Sequence, residues 1–260
     1  MLQATIAAAK RRYRSAVLAD SPVAYWRLGE ASGTTAADEM GSYNGTCTPN
    51  SGGAWTGGTL GAAGALADGN TAATFPGGTS FTTTPHVNIG SAMATVFTGN
   101  NPRSFDFWIK PAATMVSGAI IAKSDNQAGA ALFAWLIHML STGEVVFTLQ
   151  GPATAFWRVT SPAATLAAST WAHVAVVVGD TNTRASAIYM NGVSQSLTAS
   201  TGGTPPTTWT AAVTNVWIGK SHKSASAYAT AADIDEMAIY SSALSAARVL
   251  AHYQAARPPA

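Results

Sequence analysis

From Ser21 onward the chain is a succession of short β-prone runs broken by Gly, Thr, Ser, Asn and Pro, and this texture limits the fold more than any other feature. Strands are predicted at residues 23–28, 104–109, 118–122, 131–138, 144–150, 155–159, 171–178, 187–190, 193–197, 216–219 and 234–240. In 104–109 (SFDFWI) Phe105, Phe107 and Ile109 alternate with Ser104 and Asp106, the pattern of a half-buried strand. Residues 171–178 (WAHVAVVV) are more continuously apolar and suit a central strand covered on both faces. Asn191-Gly192 between two such runs is a hairpin signal, because both residues take the positive φ of a type I′ turn. Residues 31–84 are rich in Gly, Thr and Ala and read as long loops with short strands between them. The pattern predicts an all-β fold, a two-sheet antiparallel jelly-roll sandwich, over residues 21–260. It ends in a helix that Ser245 caps, with Leu244 stapled to Val249 and with Val249, Leu250 and Tyr253 toward the sandwich, before Pro258-Pro259 stops the chain.

Residues 1–20 differ from the rest. Lys10, Arg11, Arg12 and Arg14 are four of the 14 basic residues, and no acid lies before Asp20. The remainder therefore sets ten bases against 12 acids, so the basic character belongs to this end. Leu2, Ile6, Ala9 and Tyr13 recur at helical spacing, and the segment is predicted as a basic amphipathic helix that docks on a partner protein through Leu2, Ile6, Lys10, Arg11, Arg12, Tyr13 and Arg14. An ordinary helix folded on its own domain is the competing reading. The basic residues follow the apolar ones, the reverse of a secretory signal. Nothing elsewhere interleaves bases with aromatics, so nucleic acid is not an expected partner.

Only 10% of residues are charged, and 47% are hydrophobic, which argues against disorder. No apolar run reaches the ~18 residues of a membrane helix. Cys47 alone excludes a disulfide framework. Metalloprotease, nucleophile-elbow and phosphate-loop spacings are absent. His173, Trp108 and Trp171 are read as core.

Several segments, taken in order, carry a resemblance. They are SPVAYWRLGEASGTTAADEMGSYNGT at 21–46, SFDFWIKP at 104–111, TWAHVAVVV at 170–178, IYMNG at 188–192, IGK at 218–220 and DIDEMAIYSSALSAARVLAHY at 233–253. This order resembles the laminin-G-like jelly roll of the concanavalin A-like lectin/glucanase superfamily. Arg248 departs from it, standing where an acidic or amide residue usually completes the helix cap. The resemblance implies two antiparallel sheets with a concave face or rim loops open to glycans or proteins. It also implies a structural calcium ion between early and late segments, for which Asp38, Asn44, Asp68 and Asp235 are the candidate donors. Asp38 and Asn44 equally suit Asx turns. Trp55, Trp157 and Trp209, in loop-like or edge contexts, are the candidate sugar-stacking residues, and each equally suits a lid over the core.

Glucanases of the superfamily carry paired carboxylates on one strand face, and Asp233 and Asp235 superficially match them. Their place beside the last strand argues against catalysis; Asp235 is expected to serve a cation or a loop hydrogen bond and Glu236 to be solvated. The expected function is that of a non-catalytic adhesion protein. It is read as a phage virion component (minor tail, fibre or capsid-decoration protein), homo-oligomeric as in trimeric spikes, anchored by residues 1–20 and displaying a lectin-like sandwich to host glycans. A free-standing extracellular carbohydrate-binding module or lectin is the alternative, and a glycan hydrolase or lyase a distant third.

Overall fold

The computed structural model describes residues 12–80, 82–124, 133–151, 155–209, 215–223 and 226–257. Two antiparallel sheets form a sandwich, as the alternation predicts. In the first sheet the strands run in the order Val193–Ser194, Ala185–Met190, Ala172–Asp180, Arg103–Pro111 and the long Ser226–Tyr240. Beyond it, Ala24–Trp26 pairs with the end of the long strand, and Thr71–Gly78, itself flanked by Thr59–Ala63, pairs with its middle. The second sheet runs Thr198–Gly202, Phe156–Thr160, Val145–Gln150, Phe133–Met139, Gly118–Ser124, Asn215–Ile218, His86–Gly90, Gly45–Thr48 and Thr35–Ala36. The start of the long strand pairs with Lys220–Lys223 and bridges Ala119, linking the sheets at one edge.

The inward rows interdigitate. Phe105, Phe107, Ile109, Val174 and Val176 of the first sheet belong to one core with Ile121, Trp135, Ile137, Phe147 and Trp157 of the second. At roughly 25 cal/mol per Å² of apolar surface, this shared interior dominates the stability of the fold. Asn191 and Gly192 adopt φ of 51° and 79°, the hairpin read from the sequence.

Residues 12–19 form a helix that lies on the outer face of the first sheet beside the C-terminal helix Ala246–Ala255. Tyr13 and Val17 are buried there with Trp108, Tyr240, Leu244 and Val249. The second helix is capped by Ser245 Oγ, which accepts from Arg248 N at 3.3 Å. Arg248 contributes in another way: its Nε donates to both Asp20 carboxylate oxygens at 2.9 Å, tying the two helices together.

Three expectations are corrected here. Residues 12–20 are part of the sandwich's own outer layer and not a detached arm: Tyr13 and Val17 are buried, Arg14 pairs with Glu39, and Arg12, Ser15 and Ala19 face solvent. Leu2, Ile6, Lys10 and Arg11 lie outside the described residues. The strand at 104–109 is buried on both faces, because the helices cover the side on which Asp106 sits. Leu250 is 40% exposed, since the C-terminal helix rests on Val249 and His252. No helix among the described residues is long and apolar enough to cross a membrane.

Candidate functional site

A dense group of titratable side chains is sealed beneath the helices. Asp106 points outward from the first sheet and is fully buried, with His173 Nε2 2.5 Å from one oxygen and His252 Nδ1 hydrogen-bonded to the other. Tyr13 Oη donates to Asp106 at 3.3 Å, and His252 Nε2 lies 2.8 Å from Asp20. Burial works to raise the Asp106 carboxyl, but His173 and His252 outweigh it and hold the group well below the usual carboxylate range. Burial lowers the His252 imidazole, and the bonds and charges of Asp106 and Asp20 bring it above its ordinary value. His173 is thus a core residue, as read. The network fastens both helices to the sheet.

The three tryptophans named as sugar-stacking candidates do not offer a free ring. Trp157 points inward from Phe156–Thr160 and packs on Phe147. Trp209 is buried against Phe97 and donates from Nε1 to Asn101 O at 2.7 Å. Trp55 lids the core edge-on to Phe75, with Gly58 so close that any side chain there would strike the indole.

The second sheet supplies a different opening. Its outward residues form a cross-strand row, Thr46, Asn88, Trp217, Ala122, Leu136, Thr148, Arg158 and Ser200, each opposite the next. At one end of this row lies a cleft of about 260 Å³ lined by Thr48, Thr82, His86, Asn88, Asn215, Trp217 and Lys220. Trp217 lines it with only 3% of its surface exposed: Lys220 Nζ stands 4.9 Å from the indole centroid and the His86 ring 5.5 Å away, edge-on. Trp217 Nε1 donates to Asn88 Oδ1 at 3.2 Å, and Gly90 N donates to the same oxygen at 2.8 Å, so the Asn88 amide is fixed in orientation. Burial and the Lys220 charge bring the His86 imidazole down to about 4, which leaves it neutral at physiological pH. Burial brings the Lys220 ammonium down to about 8.

The cleft therefore offers hydroxyls, two amides, an imidazole and an ammonium around a largely buried indole, with no carboxylate among its lining residues. None of these residues was singled out from the sequence. The signal was present: Val216 and Ile218 point inward, so Trp217 between them must point outward.

A second cleft of about 300 Å³, at the edge of the first sheet, contains one carboxylate, Asp233. That group pairs with Lys110 at 2.6 Å and accepts from Thr74 at 2.6 Å. A glycosidase needs two carboxyl groups flanking the scissile bond, and the lining of neither cleft supplies a pair.

The four candidate calcium donors separate into two groups. Asp38 accepts from the backbone N–H groups of Tyr25, Met40, Ser42 and Tyr43, and Asn44 Oδ1 accepts from Asp38 N, a closed loop of Asx-type bonds. Asp68 and Asp235 belong to a different cluster with Arg27 and Glu236. Glu236, expected in solvent, is fully buried there. Calcium takes six to eight oxygen ligands, and these oxygens are already engaged by N–H donors, so this donor set does not fit the ion. Among the described residues no group of three or more His, Cys, Asp or Glu could hold a metal ion.

Comparison with known proteins agrees with the architecture. A laminin-G-like family model described as the concanavalin A-like lectin/glucanases superfamily matches residues 76–250. No curated protein matches the sequence. Domain 4 of AbnA, a GH43 extracellular arabinanase from Geobacillus stearothermophilus solved with arabinotriose, is similar with a TM-score of 0.55 at 19% identity, covering 91% of this chain and 98% of that one. A structure of botulinum neurotoxin type C, whose cell entry depends on two ganglioside molecules, has a TM-score of 0.59 at 15% identity, covering 92% of this chain and 52% of that one. The binding domain of botulinum neurotoxin DC, solved with rat synaptotagmin II, gives 0.56 at 15% identity over 92% and 52% of the two chains. At such identities the likeness is one of fold.

Proposed function

Since the chain belongs to the concanavalin A-like lectin/glucanase superfamily, we propose that it is a carbohydrate-binding module that acts by adhesion and not by catalysis, with the cleft over Trp217 as its sugar site. The observation that carries this reading is the lining of that cleft: the fixed Asn88 amide, the Asn215 amide and threonine hydroxyls around the Trp217 indole, with no acid. Sugars present many hydroxyls and an apolar ring face, which such a surface matches. The arabinotriose bound by one fold relative and the ganglioside dependence of another support the same ligand class. Four or five net hydrogen bonds of about 1 kcal/mol each correspond to an affinity between about 1 mM and about 0.2 mM for a single site.

Weak single sites gain from display in several copies, and a homo-oligomer such as a trimer would supply that avidity. The phage virion setting is the favoured one for such display. Its support is the basic, acid-free segment 1–16, in which Arg12 points to solvent. A free extracellular lectin is the alternative, and the packing of residues 12–19 on their own sandwich favours it. Deleting residues 1–11 should abolish incorporation into particles in the first case and leave secretion and sugar binding intact in the second.

The sugar reading is tested on an array of neutral and acidic glycans that includes arabinotriose, followed by calorimetry. Asn88→Ala should weaken the best ligand at least tenfold while the chain stays folded, and no reducing ends should be released from any glycan. Absence of binding across the array, with unaltered cell adhesion for Asn88→Ala, would sink it.

A further inference from the structure

Two carboxylates from distant parts of the chain meet on one guanidinium, and a third, Asp235, joins them through Asn70. Arg27 Nη2 lies 2.7 Å from Asp68 Oδ2 and 2.6 Å from Glu236 Oε1, while its Nε lies 3.0 and 3.2 Å from the two Glu236 oxygens. The local backbone is shaped for this meeting. The long strand slips register between Asp235 and Ala238, and Glu236 adopts φ of 55°, a bulge in the left-handed region. A regular strand would send Asp235 and Glu236 to opposite faces; the bulge lets both reach Asn70. Gly64 permits the loop above to close down, since a Cβ there would sit 2.5 Å from Asn70 O and 3.0 Å from Asp235 Oδ2.

All six carboxylate oxygens in the cluster have donors. Asp68 Oδ1 accepts from Asn70 N and Oδ2 from Arg27. Asp235 Oδ2 accepts from Ala65 N and Oδ1 from Asn70 Nδ2. Glu236 Oε1 accepts from Arg27, and Oε2 from Arg27 and the Tyr25 hydroxyl. A divalent ion would have to expel the guanidinium and break these bonds. Burial, and then the neighbouring Glu236, pushes the Asp235 carboxyl well above the usual range, which brings the cluster's charge toward what one guanidinium balances.

We propose that Arg27 is the built-in counter-cation of this junction, standing in for the calcium ion that the family resemblance implies, so that early and late segments are joined without a metal at this position. The fork geometry matters as well as the charge: a guanidinium engages two carboxylates through several N–H groups, which an ammonium cannot reproduce.

The test uses the whole chain. Arg27→Gln should lower the melting temperature by about 10 °C, the size expected for breaking a buried ion pair in a domain this large. Arg27→Lys should fold and lose less, keeping the charge but not the fork. Terbium titrated into the wild-type chain should give no luminescence that Asp68→Asn removes. A wild-type terbium signal abolished by Asp68→Asn, or an Arg27→Lys chain melting with or above wild type, would overturn the proposal. If Arg27→Gln does not fold, the wild-type and Arg27→Lys measurements decide.

Discussion

The two outward faces of the sandwich start from the same rule and end with different roles. On both, every second residue of a strand points away from the core. On the first sheet the outward row meets two helices, and its polar members Asp106 and His173 are locked into a buried network with Tyr13 and His252 that reaches the half-buried Asp20. On the second sheet no helix covers the outward row among the described residues; Ala122, Leu136 and Thr148 in its middle are buried, with Phe133 and Tyr228 packed on the first two, and one end opens into a polar cleft beside Trp217. Cover, not residue type, decides whether an outward polar residue holds the fold or is available to a ligand.

That contrast can be broken at several points. Replacing Asp106 by Ala strands two buried histidines and should cost about 3–5 kcal/mol in denaturant melts; a neutral result would mean that the covered face is held by packing alone. Tyr13→Ala should cost about 3 kcal/mol, because a buried aromatic is lost from beneath the helix. Were residues 12–19 a detached docking arm, that change would leave stability untouched.

The covered face should also give stability a pH signature. His252 has a folded-state value above the ordinary one, so its contribution is complete below the usual histidine range and is lost as pH rises through the raised value. Each unit of that elevation corresponds to about 1.4 kcal/mol. Asp106 has the opposite sign: its contribution is present at neutral pH and is lost as pH falls toward its depressed value. Urea melts across pH should therefore decline on both sides, and His252→Gln should remove the alkaline decline. The smallest effect is expected at Ser245→Ala, about 1 kcal/mol for loss of the helix cap.

Much of the architecture was legible because local chemistry and fold agree. The apolar run at 171–178 became a central strand, Asn191-Gly192 turned a hairpin, and Ser245 capped its helix. The site was less legible. Trp157 and Trp209 looked peripheral by sequence context, yet strand parity turns the first inward and Phe97 with Trp135 encloses the second. Trp217 looked like one more strand residue, although the parity of Val216 and Ile218 directs it outward. Glu236 was misplaced because a bulge cannot be read from alternation, and Asp106 because the covering helices come from the two ends of the chain. The clustering of Thr48, His86, Asn88 and Lys220 follows from strand order across the sheet, which no local pattern contains.

The central claim is that the cleft at the end of the second sheet's outer face binds sugar and the helix-covered face of the first sheet does not. It is tested most directly by following amide, indole and side-chain amide resonances of labelled protein while the best glycan from the array is titrated in. The account predicts saturable shifts of the Trp217 indole N–H and of the Asn88 and Asn215 side-chain amides, all with one dissociation constant, while Tyr13, Asp106 and His252 stay still. Saturable binding that shifts the covered face or the Lys110–Asp233 cleft and leaves the Trp217 indole unmoved would contradict it.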